Sequence, residues 1–284
     1  MAQCWRTRPV TVGEVTGSPP PRAPAARVRA GLAAAAKCGP FFALEAGPPA
    51  HEADPPAYEA GRTAHEAGPP AHEAGRTALA PGWQPVADLY LDGLPALIAS
   101  TARQLGTDDR RVAASILHLS LAARLWSPVL ASGLLSAVVP DLSTLTVAIG
   151  PPLRLGVAQP AGWTVSDQRE LARLSAEVVG AQLQQLADAL PVRLAPGLLR
   201  GNAASAMAGA LGVLAATRPD LSGTAAGLAQ ALLRTSCLRR SGVLGADAPL
   251  SFRRQSCCLY YRLPGGGLCG DCCFRRPPGR RDAG

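Results

Sequence analysis

Several common functional signals are missing from this sequence of 284 residues. It has no fingerprint for a flavin or a nicotinamide nucleotide, so a redox reaction on this chain needs electrons from a separate protein. No recognised nucleic-acid-binding motif accompanies the net charge of +8, so no nucleic-acid partner is expected. The stretch 31–36 has one leucine and four alanines before Lys37, the only lysine. It is too short and too weakly apolar for a signal peptide, and export is not expected.

The cysteines, in contrast, are concentrated near the C-terminal end. Four of the eight lie within 16 residues, namely Cys257, Cys258, Cys269 and Cys272. A tight thiol group without an export signal favours a metal site in a reducing compartment over disulfides. Only Cys269–Cys272 forms the Cys-x-x-Cys unit that zinc sites use twice, and neighbouring side chains at 257 and 258 diverge. A [2Fe-2S] cluster spreads its thiolates over two irons. On the residues alone, structural zinc and an iron–sulfur cluster both remain open.

The cysteine pattern resembles a known family signature. Cys-Cys-x10-Cys-x2-Cys, within Arg253–Arg262 and Pro264–Cys272, is similar to the closing segment of the FhuF-type ferric siderophore reductases. Stretches 111–142 and 201–205 also resemble this family, as 39–44 does more weakly, and apart from 39–44 the likeness spans roughly 83–275. Cys273 departs from the pattern and is an alternative ligand to Cys272.

The resemblance implies a cofactor, a reaction and partners. Cys257, Cys258, Cys269 and Cys272 are expected to hold a [2Fe-2S] cluster that passes single electrons to an Fe(III)-siderophore. The implied enzyme is a cytoplasmic oxidoreductase, at most peripheral at the inner face of the membrane, with no transmembrane segment and no catalytic acid or base. Its donor is expected to be a separate protein, such as a ferredoxin or a flavodoxin reductase system. The alternative is a non-enzymatic iron–sulfur or zinc module that senses or docks.

Composition divides the chain into three parts. Residues 1–82 read as a low-complexity, largely disordered extension, with seven-residue repeats at 45–79 whose Gly, Pro and Arg content opposes a coiled coil. Residues 83–275 are expected to form one FhuF-like domain, and 276–284 a basic tail. The repeat histidines His51, His65 and His72 are weak metal ligands at most, and repeat drift without function is the more ordinary explanation.

Charge is unevenly placed. The last 48 residues contain nine arginines and three aspartates, a net charge of +6 around the thiols. Such a field can steer an acidic donor protein or an anionic substrate complex. The alternative is a solvated tail that offsets the charge of the thiolates.

Apolar periodicity predicts the elements of the central region. Helices are expected from about Leu91 to Gly106 and from about 108 to 126, where Pro128 ends or kinks the second. Val112–Val139 is apolar, but Arg124, Pro128 and His118 favour a buried helical hairpin over a membrane span. His118 is expected to be an ordinary core residue.

The remaining elements follow from local signals. Short strands are expected at 144–149 and 153–157, then a helix capped by Asp167 with Glu170, and another helix at about 202–217. Asn202 is either near a pocket or a helix cap. Residues 257–263 favour a strand. The expected fold class is α+β: a mainly helical single domain with a small β-sheet and a C-terminal cysteine hairpin holding an iron–sulfur cluster.

Overall fold

A long central helix, α4 (Arg110–Ser136), organises the protein. Its first turn is capped by Asp109, whose carboxylate accepts hydrogen bonds from the backbone N–H groups of Arg111 and Val112 at 3.0 and 3.3 Å. It ends where Ala137 adopts a left-handed conformation with φ of 52°. Helices α1, α3, α5 and α6 all pack against it. The structure, a computed structural model, describes residues 20–47, 79–245 and 250–278.

Helices dominate the described residues. In chain order they are α1 (Ala25–Ala36), α2 (Val86–Asp88), α3 (Leu94–Gln104), α4, α5 (Gln168–Ala189), α6 (Pro196–Thr217) and α7 (Ser222–Leu233). A π-helical turn, Leu89–Gly93, joins α2 to α3, and Pro95 lies in the first turn of α3, where proline is well tolerated. The fold class predicted from the sequence, mainly helical with little sheet, is confirmed.

The strands are short and form three groups. They are β1 (Glu45–Ala46), β2 (Trp83–Pro85), β3 (Val138–Pro140), β4 (Leu145–Ala148), β5 (Arg154–Val157), β6 (Gly162–Thr164), β7 (Gly242–Leu244) and β8 (Phe252–Arg254). A four-stranded sheet has the order β1-β5-β4-β2, in which only the β1–β5 pair is parallel. Antiparallel pairs β3–β6 and β7–β8 stand apart. The predicted strands at 144–149 and 153–157 are β4 and β5.

The predicted helical hairpin across Val112–Val139 is wrong, because α4 continues through Pro128 as one helix of 27 residues. Proline removes one intrahelical hydrogen bond. Trp126, Pro128 and Val129 are nevertheless buried, and packing on all sides holds the helix together.

Two helices, α4 and α6, are long and apolar enough to cross a membrane by length and composition alone. In each, 72% of the most apolar window is buried inside the protein. Burial therefore accounts for their composition, and the two helices do not establish a transmembrane segment.

Order begins earlier in the chain than the sequence indicated. Residues before 83 were expected to be largely disordered, yet α1 packs on α4 and fully buries Val28 and Ala35 and nearly all of Leu32. These three residues recur at helical spacing, a signal weakened by the small side chains between them. Within the weakly family-like stretch 39–44, Phe42 and Leu44 are also in the core. The first repeat glutamate, Glu45, belongs to β1, and residues 48–78 lie outside the described part.

The sequence predicts the start of α5 correctly but not the start of α6. The prediction that Asp167 caps α5 is confirmed, since its carboxylate accepts from the N–H of Glu170 at 2.8 Å. Helix α6 starts at Pro196, earlier than expected, which places Asn202 inside the helix and excludes a capping role. Asn202 is fully buried instead and faces the C-terminal segment.

Candidate iron–sulfur site

The cysteine segment, residues 254–274, follows strand β8 and turns back on itself. The backbone N–H of Arg254 at its start donates to the carbonyl of Asp271 near its end at 3.0 Å. The strand expected at 257–263 is wrong: Leu259 is left-handed with φ of 70°, and Tyr260–Arg262 is a 3-10 turn. The left-handed residue bends the chain directly after the adjacent Cys257 and Cys258. This local bend lets two neighbouring thiols serve one site.

Thiols from both arms of the segment meet. Cys258 is buried, whereas Cys257, Cys269, Cys272 and Cys273 are half-buried. The thiols of Cys258 and Cys269 share a hydrogen bond, which links the first cysteine pair to the second. The segment thus brings together the four thiols predicted from the sequence, together with Cys273.

Backbone amides point at two of the sulfurs. The N–H of Leu259 donates to Sγ of Cys257 at 3.2 Å, and the N–H of Phe274 donates to Sγ of Cys272 at 3.4 Å. In addition, the N–H of Cys272 donates to the carbonyl of Cys269 at 3.1 Å, closing the second turn. Amide donors at sulfur stabilise negative charge there and are a recognised means of setting the potential of an iron–sulfur cluster.

The electrostatics of the free thiols favour protonation. Burial, the hydrogen bond to Cys258 and the charges of Cys258 and Cys272 raise the pKa of Cys269 to about 12, against a smaller opposing effect of Arg254. Burial also raises the pKa of Cys257 and Cys273, with nearby thiolates adding to the effect. Because a metal binds the thiolate, loading of this site has to displace protons and supply a positive charge.

The donor set fits an extended all-thiolate cofactor better than one small ion. Across the described ranges, no group of three or more His, Cys, Asp or Glu side chains is arranged to hold a metal ion. Five cysteines nevertheless form one cluster, because Cys258 and Cys272 each act on the pKa of Cys257, Cys269 and Cys273. No histidine or carboxylate is interleaved among the four predicted ligands in the chain except Asp271. Four thiolates distributed over two irons are the usual ligand set of a [2Fe-2S] cluster.

A buried arginine supports the segment from behind. The Arg254 side chain is only 3% exposed. Its guanidinium donates to Oδ1 of Asn202 at 2.6 Å, to the carbonyl of Leu198 at 3.3 Å and to the carbonyl of Ser256 at 3.1 Å. All three acceptors are neutral. The guanidinium therefore ties the cysteine segment to α6 and keeps its charge next to the thiols.

A second chain of hydrogen bonds runs to the central helix. Asn202 donates to the carbonyl of Ser115 on α4 at 2.8 Å, and the Ser115 hydroxyl donates to the carbonyl of Cys258 at 2.8 Å. One turn further along α4, His118 is fully buried, and neither of its ring nitrogens has a hydrogen-bond partner. Burial, with a smaller effect of Arg254, lowers the pKa of His118 to about 3, so the ring is neutral near pH 7.

Helix α6 also holds both ends of the segment directly. The Ser256 hydroxyl donates to the carbonyl of Gly197 at 2.6 Å, and the Ser205 hydroxyl donates to the carboxylate of Asp271. Between them, Gly201 faces the segment: a Cβ there would lie 2.3 Å from Oγ of Ser256. A glycine is required at this point because the segment lies directly on the helix backbone.

Some of these residues were not assigned a role from the sequence. Ser115 and Arg254 lay within family-like stretches without being singled out. The sequence did contain a signal that Arg254 is buried. Alternate residues of a strand share a face, and Phe252, two residues earlier on β8, is apolar and buried. For Ser115 the sequence carries no such signal, since its partner Asn202 is 87 residues away.

Aromatic side chains lie within the cysteine segment. Tyr261 and Phe274 form an edge-to-face pair with ring centroids 5.9 Å apart, which joins the first turn to the end of the segment. Tyr260 and Phe274 are both exposed, at 39% and 36%. The cysteine segment is thus held by α4 and α6 through hydrogen bonds, and the aromatic pair joins its first turn to its end.

A helical fold that supports five clustered thiols with buried amide, hydroxyl and guanidinium groups defines a protein with a C-terminal iron–sulfur segment. Residues 254–274 match the family model described as the FhuF 2Fe-2S C-terminal domain. This match confirms the predicted FhuF-type resemblance and the [2Fe-2S] cofactor. Comparisons with curated proteins and with solved structures gave no significant match.

Proposed function

We propose that this protein is a cytoplasmic ferric siderophore reductase, at most peripheral at the inner face of the membrane. The match of residues 254–274 to the FhuF 2Fe-2S domain carries the proposal. When bound, the cluster supplies one-electron transfer, which is the chemistry needed to reduce Fe(III) to Fe(II). Siderophore oxygens are hard ligands suited to Fe(III), and reduction to Fe(II) weakens those bonds, so reduction promotes release of the iron.

The chain's own residues hold and expose the redox centre. Cys257, Cys258, Cys269 and Cys272 supply the four thiolates, which is the assignment that the family pattern implies. Three of these cysteines are half-buried, whereas Cys258 is buried, and its backbone carbonyl accepts the hydrogen bond from Ser115. The half-buried thiols therefore lie close to solvent. A ferric chelate that cannot enter the core can approach them for outer-sphere electron transfer.

The electron donor is proposed to be a separate, acidic protein. Arg253, Arg275 and Arg276 are exposed beside the cysteine turns, and Arg262 is also exposed, although it forms an ion pair with Asp109 at 3.0 Å. A positive rim around a redox centre attracts a negatively charged donor and raises the encounter rate. A ferredoxin or a flavodoxin-type protein has the required chemistry.

An anaerobic redox cycle tests the proposed reaction. The full-length protein is purified without oxygen, its visible spectrum is recorded, and dithionite and then a ferric hydroxamate are added. The expected result is iron–sulfur absorption that bleaches with dithionite and returns when the chelate is added, with stoichiometric Fe(II) captured by a ferrous chelator. Cys38→Ser, far from the segment in sequence, is the matched control and is expected to behave as the wild type, whereas Cys258→Ser is expected to lack the absorption.

Other outcomes of this experiment separate the competing functions. A colourless protein that contains zinc would overturn the cluster assignment and leave a structural module. A reducible cluster that ferric chelates do not reoxidise would contradict the reductase and favour a sensing module. Rapid oxidation of NAD(P)H by the protein alone would contradict the separate donor.

A further inference from the structure

Arg254 carries a buried charge without an acidic partner. Among the described residues, no carboxylate lies within ion-pair distance of its guanidinium, and its three side-chain hydrogen-bond acceptors are the neutral oxygens of Asn202, Leu198 and Ser256. Removal of an unpaired cation from water is costly, and such groups are normally paired with an anion. The guanidinium of Arg254 therefore needs a nearby anion, and the cysteine thiolates can supply that negative charge.

Arg254 also lies beside the thiols. Its guanidinium donates to the carbonyl of Ser256, the residue before Cys257, and its backbone N–H donates to the carbonyl of Asp271, the residue before Cys272. The other titratable group nearby, His118, is neutral near pH 7 because it is fully buried. Asp271, the carboxylate within the segment, is engaged by the Ser205 hydroxyl. The guanidinium is thus the fixed positive charge on the inner side of the thiols.

We propose that Arg254 is the counter-cation of the iron–sulfur cluster and that Asn202 positions it, so that its charge raises the cluster's reduction potential. Four thiolates around two irons leave a net negative charge, and the one-electron reduction adds another. A fixed cation in a low-dielectric setting stabilises the more negative, reduced form more strongly than the oxidised form. The inference rests on the cluster assigned to this site and not on the ferric substrate.

The hydrogen bonds of Arg254 provide an alternative that the test has to separate. A purely structural role needs the bonds from the guanidinium to Asn202, Leu198 and Ser256, whereas a counter-cation needs the charge. Arg254→Lys keeps the charge and loses most of the bonds, and Arg254→Met loses both. Asn202→Asp retains the arginine and its hydrogen bond to position 202, and places a carboxylate against the guanidinium that neutralises its charge. It also loses the hydrogen bond that Asn202 donates to the carbonyl of Ser115.

The experiment is a spectroelectrochemical titration of the cluster in the full-length protein, with mediators and visible absorption as the readout. Arg254→Met and Asn202→Asp are both expected to lower the equilibrium constant for one-electron reduction of the cluster at least about tenfold. That change corresponds to a decrease of about 59 mV in reduction potential. Arg254→Lys is expected to remain within about threefold of the wild type. Arg27→Met is the matched control and is expected to keep the wild-type potential, because it removes an exposed arginine whose guanidinium donates to the carbonyl of Ser136 at the far end of α4.

Each result decides the proposal. Equal potentials in the wild type and in Asn202→Asp would overturn it, as would an Arg254→Lys potential as low as that of Arg254→Met. If Arg254→Met does not assemble the cluster, Asn202→Asp and Arg254→Lys still give the comparison of charge. The titration contains no ferric chelate, so inertness toward ferric chelates would contradict the reductase while leaving this inference standing.

Discussion

The side-chain amide oxygen of Asn202 accepts a 2.6 Å hydrogen bond from the guanidinium of Arg254, inside the protein and across 52 residues of sequence. The amide nitrogen of the same asparagine donates to the carbonyl of Ser115 on α4. One side chain thus connects the central helix, α6 and the first residue of the cysteine segment. Because Asn202 is fully buried, both halves of its amide need these partners.

Close contact between α6 and the cysteine segment predicts a strong effect of Gly201→Ala. The added methyl group would lie 2.3 Å from Oγ of Ser256 and 2.9 Å from Nη2 of Arg254, so the segment has to shift. Overpacking of this kind costs about 1–3 kcal/mol of unfolding free energy. The expected result in chemical denaturation is a loss of that size, together with a lower iron content per chain.

Gly209→Ala on the same helix is the matched control. Gly209 is exposed, and a Cβ there meets nothing within 4 Å. Alanine has the higher helix propensity, so this variant is expected to be neutral or more stable by up to about 1 kcal/mol. Equal destabilisation in both variants would contradict the tight seating of the segment on α6 at Gly201.

The assignment of the fourth ligand predicts different behaviour for two adjacent cysteines. Cys272 belongs to the Cys-x-x-Cys turn, and its sulfur accepts the N–H of Phe274, whereas Cys273 contributes its carbonyl to Arg253. Cys272→Ser is expected to remove most of the visible absorption and bound sulfide, and Cys273→Ser to retain them. The measurement is iron and acid-labile sulfide per chain; the reverse order would transfer the ligand role to Cys273.

His118 predicts a dependence of stability on pH. The unfolded chain binds a proton at its imidazole near pH 6.5, whereas burial holds the folded pKa at about 3. The contribution of His118 to stability is therefore complete above pH 6.5 and is lost as the pH falls toward 3, by up to about 1.4 kcal/mol per pH unit.

Denaturant titrations of the apo protein between pH 7 and 4.5 check this expectation. His118→Leu is expected to show a shallower decline than the wild type over that range. The other histidines of the sequence, His51, His65 and His72, lie in the repeat outside the described residues. Parallel pH profiles for wild type and variant would show that His118 does not titrate as its burial requires.

The exposed arginines predict a salt-dependent reaction with an acidic donor. Arg275 and Arg276 are exposed beside the cysteine turns. Their replacement by serine is expected to slow reduction by a ferredoxin at low ionic strength and to leave dithionite reduction unchanged. Because the Debye length is about 8 Å at 0.15 M salt, the difference should shrink as salt is added. Arg27→Ser is the control, because Arg27 is exposed and its guanidinium donates to the carbonyl of Ser136 at the far end of α4. An equal effect there would contradict a local docking surface.

The sequence alone was sufficient for the cofactor segment and for the class of fold. The thiols are close in sequence and glycines allow the turns between them, so short-range geometry decides that they meet. Likewise, the cap of α5 by Asp167 and the β4–β5 pair depend on neighbouring residues. The seven-residue repeat is equally plain in the sequence, but residues 48–78 lie outside the described structure, and its interpretation as repeat drift without function stays a prediction.

Only the tertiary structure decided how the segment is supported. Ser115, Asn202 and Arg254 are 87 and 52 residues apart, and they meet because α4 and α6 pack side by side. Local sequence also did not predict that α4 continues through Pro128, because burial of the helix outweighs the hydrogen bond that proline removes. Nor did it predict α1, because packing against α4 stabilises a helix whose apolar stripe is weak. Local geometry along the sequence brings the thiols together, whereas long-range packing of α4 and α6 places the buried charge of Arg254 behind them.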